Sequence, residues 1–231
     1  MVTGGTGNLG ATVVRRYLGA GAHVALPVRD ATKGEALRDD LVDLAGAGHD
    51  ARLFVLEAHP GDADAMERAV EEVMTRWGRL DALANLAGHY EAGPPWDLDA
   101  VRRLWQEDFL VAATAAVACL RPMRARGHGR IVSVGAFGAN RGGRDSAGYA
   151  IAKTALVRWS ESLAAAVKDE GITVNVVQPS VIDHPDNRRL YPKADPAKWV
   201  RPDELASLIL FLTSDEASGV TGAAIPVTAR T

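Results

Sequence analysis

The chain has 231 residues, enough for one α/β domain with a large core. Apolar residues make up 47% and charged residues 24%, the balance of a globular protein, and a net charge of -3 leaves no electrostatic footprint for nucleic acid or an anionic membrane surface. The one cysteine, Cys119, excludes an internal disulfide and reads as a small buried hydrophobe; no apolar run approaches the roughly 20 residues of a membrane span and no signal pattern opens the chain, so a cytoplasmic protein is expected.

Met1-Val2-Thr3 runs straight into glycines. An ordinary strand has about 5–6 residues, so either this first strand is clipped or further residues precede it. Leu9, Val13 and Tyr17 then recur at four-residue spacing and mark an amphipathic helix closed by Gly19 and Gly21. Residues 23–28 read as a short buried strand, 31–46 as a polar helix and 52–56 as the next strand. Met66, Val70, Val73, Met74 and Trp77 line one stripe of a helix closed by Gly78. A strand at 80–86, a long helix at 97–124, a strand at 130–134, a second long helix at 147–169 and a strand at 172–177 follow. A polar excursion over 179–202, a helix at 203–213 and a strand at 223–227 complete the pattern. Trp96 and Trp105 read as packing residues, and His49 and His59 as loop residues; no histidine pair has metal-ligand spacing. This alternation predicts a single α/β domain over residues 1–231: a Rossmann-type doubly wound parallel sheet of about seven strands, with helices on both faces. Ligands of such sheets bind beyond the C-terminal strand ends, so the tips after the first, fourth, fifth and sixth strands should line one site.

Four motifs fall at those tips or between them. Thr3-Gly4-Gly5-Thr6-Gly7-Asn8-Leu9-Gly10 joins a strand to a helix, the context in which glycines let a pyrophosphate approach the backbone and the helix N-terminus. Val28-Arg29-Asp30 ends the second strand; an arginine there suits a 2′-phosphate, which favours NADP(H) over NAD(H), while Asp30 remains within reach of a ribose. Asn85-Leu86-Ala87-Gly88 closes the fourth strand with small residues against which an adenosine can lie. Tyr149 and Lys153 stand at i, i+4 on one helix face, where an ammonium would lower the phenol's pKa and fit it for proton transfer.

Together and in this order, these motifs resemble the short-chain dehydrogenase/reductase family over essentially the whole chain. The resemblance implies Tyr149 as general acid–base and Lys153 as its support and holder of the nicotinamide ribose. It implies Asn85, Ala87 and Gly88 along the adenosine, and Pro179, Val181 and Ile182 passing the nicotinamide. It makes the segment around 180–202 a substrate lid carrying His184, Tyr191 and Trp199. Against the family pattern, Ala136 stands where a substrate-orienting serine is usual, Asp108 where a helix asparagine is usual, Ser180 for a glycine and His184 for a threonine. Ser146, one turn before Tyr149, is a replacement for the serine or a helix N-cap. His89, Tyr90 and Asn140 lie on loops at the same sheet edge. One branch, the dihydropteridine reductases, is similar in lacking the serine, in Gly7-Asn8-Leu9-Gly10, in Asp183-His184-Pro185-Asp186-Asn187-Arg188, and in Ala194-Asp195 with Trp199. That branch keeps an acid at the second strand and prefers NADH, so the likeness implies a tyrosine–lysine site working without serine, not a pterin substrate.

The leading reading is an NAD(P)(H)-dependent oxidoreductase moving hydride between nicotinamide and a carbonyl, imine or quinonoid small molecule. Two others compete. One is a non-redox cyclase, dehydratase or isomerase on the same scaffold, motivated by Ala136 and Asp108, with Asp108 as a new base. The other is a cofactor-binding regulatory protein, against which the Tyr149–Lys153 pair argues. By resemblance the two long helices pair between subunits, giving a homodimer or homotetramer.

Overall fold

The computed structural model describes residues 1–46 and 51–230; His49 lies outside them. In chain order the elements are β1 (Val2–Thr3), α1 (Asn8–Gly19), β2 (Val24–Val28), α2 (Ala31–Asp40), α3 (Val42–Ala45), β3 (Leu53–Glu57), α4 (Ala63–Trp77) and β4 (Ala82–Asn85). Next come α5 (Leu98–Leu104), a π-helical turn (Trp105–Leu110), α6 (Val111–Arg126), β5 (Gly129–Val134) and α7 (Ala147–Val167). The chain ends with β6 (Ile172–Pro179), α8 (Pro185–Leu190), α9 (Pro202–Leu212) and β7 (Ala224–Val227).

Every strand pairing is parallel. β1, β4, β5, β6 and β7 form a five-stranded sheet in that order, and β2 pairs separately with β3. The expected strands are all there, but not as one ladder. β2 lies beside β1, whose two residues have their registered backbone partners in Ala84 and Asn85 of β4. The chain runs outward from β1 through β2 and β3, then returns to β4 on the other side. The crevice above β1 and β4 is the switch point of the fold.

Alternate strand residues face opposite layers, as the pleat requires. Ala84, Val132 and Val177 meet α1 and α9, through Val13, Val14, Leu205 and Ile209. Leu83, Ile131 and Val174 meet α4, α6 and α7, through Met66, Val73, Ala115, Cys119 and Ala164. Cys119 is fully buried there, and burial pushes its thiol up to about 12. Asp30, Asp62 and Asp97 cap α2, α4 and α5 by accepting the N–H groups of Thr32, Ala65 and Ala100. Among the described residues no helix is long and apolar enough to cross a membrane.

Three expectations need correction. The helix expected over 97–124 is interrupted by the π-helical turn and runs on to Arg126. The helix expected over 31–46 breaks at Leu41, whose side chain is turned into the core beside α1 and β2. Trp96 does not pack: it is 81% exposed, whereas Trp105 lies against the Phe109 ring at 4.5 Å between centroids. The 179–202 segment is more ordered than a polar excursion implies. The Val200 N–H donates to Val181 and the Asp183 N–H to Val200, at 2.9 and 2.8 Å, drawing its two ends together around a buried Trp199.

Candidate active site

The turn between β1 and α1 is a backbone cradle. Gly7 holds the N-cap position of α1 without a side-chain cap, and no acid stands in the helix's first turn. The N–H groups at Asn8, Leu9 and Gly10 and the positive helix end therefore face the turn unscreened. A Cβ at position 10 would stand 2.1 Å from the Gly4 carbonyl oxygen, so only glycine lets the helix sit on the turn. Thr3 and Asn85 brace the turn from within. The Thr3 hydroxyl donates to Asn85 Oδ1 at 2.8 Å and accepts the Leu86 and Ala87 N–H groups. Asn85 Nδ2 donates to the Ala112 carbonyl at 2.7 Å. Both side chains are buried and tie β1, β4 and α6 together. Arg29 is exposed at the end of β2, and Asp30, also exposed, caps α2 through Oδ1.

The chemistry gathers where α7 crosses the end of β5. Lys153 is 6% exposed; its Nζ donates to the Val134 carbonyl at 3.3 Å and lies 5.7 Å from the centroid of the Tyr149 ring. Asp108, fully buried in the π-helical turn, pairs with it at 3.0 Å. Asp108 Oδ1 also accepts the His89 N–H at 3.0 Å, and Oδ2 has no partner among the described residues. Gly88, at φ +149, makes room: a Cβ there would come 2.2 Å from Asp108 Oδ1 and 3.0 Å from Lys153 Nζ.

Burial, then the Asp108 carboxylate, then Tyr90 push the Tyr149 hydroxyl above its ordinary value. This reverses the expected depression by Lys153. The ammonium is matched by a carboxylate at 3.0 Å, so Tyr149 faces a nearly neutral pair.

Ala136, Ala139 and Ala150 pack beside Tyr149 as an apolar wall. The Tyr90 ring stands edge-on to the Tyr149 ring at 5.1 Å, and Tyr191 is near enough to act electrostatically on Tyr90. The other polar candidates have partners of their own. Asn140 accepts from Gln178 at 3.1 Å, the His89 ring meets Glu107 at 3.2 Å, and His184 caps α8 by accepting the Asp186 N–H. Ser146 occupies the N-cap position of α7 but makes no capping bond. Pro179 ends β6, and Val181 and Ile182 are held by Val200 and by Asn187, whose Nδ2 donates to the Ile182 carbonyl at 2.8 Å.

The family model described as Enoyl-(Acyl carrier protein) reductase matches residues 5–229. The chain belongs to the short-chain dehydrogenase/reductase family. A cis-4-hydroxycyclohexanecarboxylate dehydrogenase of Sinomonas cyclohexanicum is 32% identical over 98% of this chain and 93% of that protein. The 3-oxoacyl-[acyl-carrier-protein] reductase of Escherichia coli K12 is 28% identical over 98% and 94%. The crystal structure of a levodione reductase superposes with a TM-score of 0.88 at 25% identity, covering 99% of this chain and 95% of that one. The chain is accordingly an oxidoreductase, of a family that works with NAD(P).

A dinucleotide fits the cradle of this family member: the uncapped, acid-free start of α1 suits a pyrophosphate. Two features of the site escaped the sequence. One is the Asp108–Lys153 pair, since Asp108 reads there as a free base. The other is a rim of charge in which Glu91 pairs with Arg103 at 2.5 Å and His89 lies between Glu91 and Glu107. Local spacing does not announce it, because Arg103 and Glu107 each pair with a residue of the loop after β4.

Proposed function

We propose that this oxidoreductase passes hydride between a nicotinamide dinucleotide and a carbonyl, imine or quinonoid carbon, with NADP(H) preferred and Tyr149 carrying the proton. The observation that carries this reading is the Tyr149–Lys153 pair on one face of α7, above the end of β5 and beside Gly88. Bound in the cradle, the dinucleotide supplies or takes up the hydride. The turn from Gly4 to Gly10 binds its pyrophosphate. Lys153, fixed by Asp108 and the Val134 carbonyl, holds the adjoining ribose. Tyr149 gives its proton to the substrate oxygen in reduction and takes one in oxidation. The alanines at 136, 139 and 150 and the ring of Tyr90 suit an apolar substrate face. Relatives named for a cyclic alcohol and for 3-oxoacyl groups favour a ketone and its secondary alcohol. The non-redox reading loses its candidate base, because Asp108 is buried against Lys153 and the His89 N–H.

Tyr149→Phe should lower turnover by about 10²–10⁴-fold, the usual worth of a general acid–base, and leave dinucleotide binding intact. Unchanged turnover rejects the reading. Arg29→Asp should weaken NADP(H) binding by at least about tenfold, the loss of one charge-assisted contact, without weakening NAD(H). Equal losses for both dinucleotides would remove Arg29 from the 2′-phosphate.

A further inference from the structure

Tyr149, Lys153 and Asp108 share a space in which both charged partners are nearly closed from water. In such surroundings an unmatched ammonium would act strongly on a neighbouring phenol. Here it is matched. Asp108 Oδ1 lies 3.0 Å from Lys153 Nζ, and the carboxylate is fixed by the His89 N–H on one side and by the room that Gly88 leaves on the other. At Tyr149 the two charges act as a difference rather than as a cation alone.

The other groups facing Tyr149 do not restore a positive field. The loop after β4 brings Tyr90, behind which stand Tyr191 of the segment after β6 and Asp145 of the loop before α7. The side after β5 brings Ala136 and Ala139, without charge. His89 contributes its backbone N–H to Asp108 and turns its ring to Glu107 and Glu91.

We propose that Asp108 is a positioning residue: by pairing with Lys153 it matches the charge of that ammonium, so that Tyr149 meets an ion pair rather than a lone cation and keeps its proton to higher pH. In reduction the phenol must hold its proton until the substrate oxygen takes it, and in oxidation it must first lose one, so this pairing places the alkaline rise of oxidation at higher pH. Burial, the carboxylate and Tyr90 all act on Tyr149 in that direction.

The inference rests on Tyr149 as proton carrier, but its test does not need turnover. The chain has four tyrosines, and ultraviolet titration of tyrosinate in the protein without substrate, with Tyr149→Phe as the reference, isolates the one at 149. In the unmodified protein Tyr149 should remain un-ionised through the ordinary phenol value of about 10. In Asp108→Asn, which keeps an acceptor for Lys153 and the His89 N–H, it should ionise below that value. The alkaline rise of alcohol oxidation should move to lower pH with it. An unmodified protein whose Tyr149 already ionises below about 10 overturns the proposal, as does an Asn variant with unchanged Tyr149 ionisation. If Asp108→Asn fails to fold, Asp108→Asn with Lys153→Gln removes both charges and leaves no lone ion. That double variant should show no early tyrosinate at 149, and its appearance there overturns the proposal. Should Tyr149→Phe instead retain turnover, the proposed function fails while the titration still decides what Asp108 does.

Discussion

Tyr90 is held edge-on against Tyr149 yet remains half exposed, and its hydroxyl bonds to no described residue. With alanine at 136, it is an uncommitted hydroxyl on a ring in contact with the proposed proton carrier. Tyr90→Phe should therefore lower kcat by about 10²–10³-fold, as removal of one oxyanion donor does, with dinucleotide affinity unchanged. Full turnover in steady-state assays would reduce Tyr90 to a wall. The Tyr149–Lys153 relationship was legible because four residues along a helix fix a shared face. The partnership of Lys153 with Asp108 was not, because it joins two helices whose approach depends on the packing of everything between them. The direction of the Tyr149 shift was misread for the same reason: local spacing supplies the cation and hides the carboxylate.

At the scale of elements, α4 and α7 follow the apolar stripes that mark them, because one face of each meets the sheet. The π-helical turn left no such trace. Its single wider turn uses ordinary helical residues, and its reason is tertiary. It carries Phe109 into the rings of Trp105 and Trp159 while bringing Asp108 to Lys153. The strands were legible in number, from their short apolar runs between turn signals. Their division into two ladders was not, because pairing between strands far apart in sequence leaves no local pattern. The segment around 180–202 looked irregular because its order comes from the bonds of Val200 to Val181 and Asp183, which no periodicity announces.

For the whole molecule, α6 and the π-helical turn leave Val117 and Trp105 exposed, and α7 leaves Ile151 exposed. Apolar side chains of this size on neighbouring long helices suit burial against a second copy. We propose that these faces pair, giving the homodimer or homotetramer expected from the sequence. Light scattering should then give a mass of at least two chains, and Val117→Glu should lower it; a monomer in dilute solution would contradict the pairing.

The separate β2–β3 ladder has a consequence for how such a protein can change. Arg29, on which dinucleotide preference is proposed to turn, ends a strand whose ladder bonds run to β3 alone. Tyr149, Lys153 and Asp108 are anchored to the five-stranded raft through Val134 and the loop after β4. The two rafts meet through side chains. Replacing one cofactor's selecting residues by another's therefore sends no register shift through backbone bonds into the proton-handling half, and choice of cofactor becomes a trait that can drift while the chemistry stays in place.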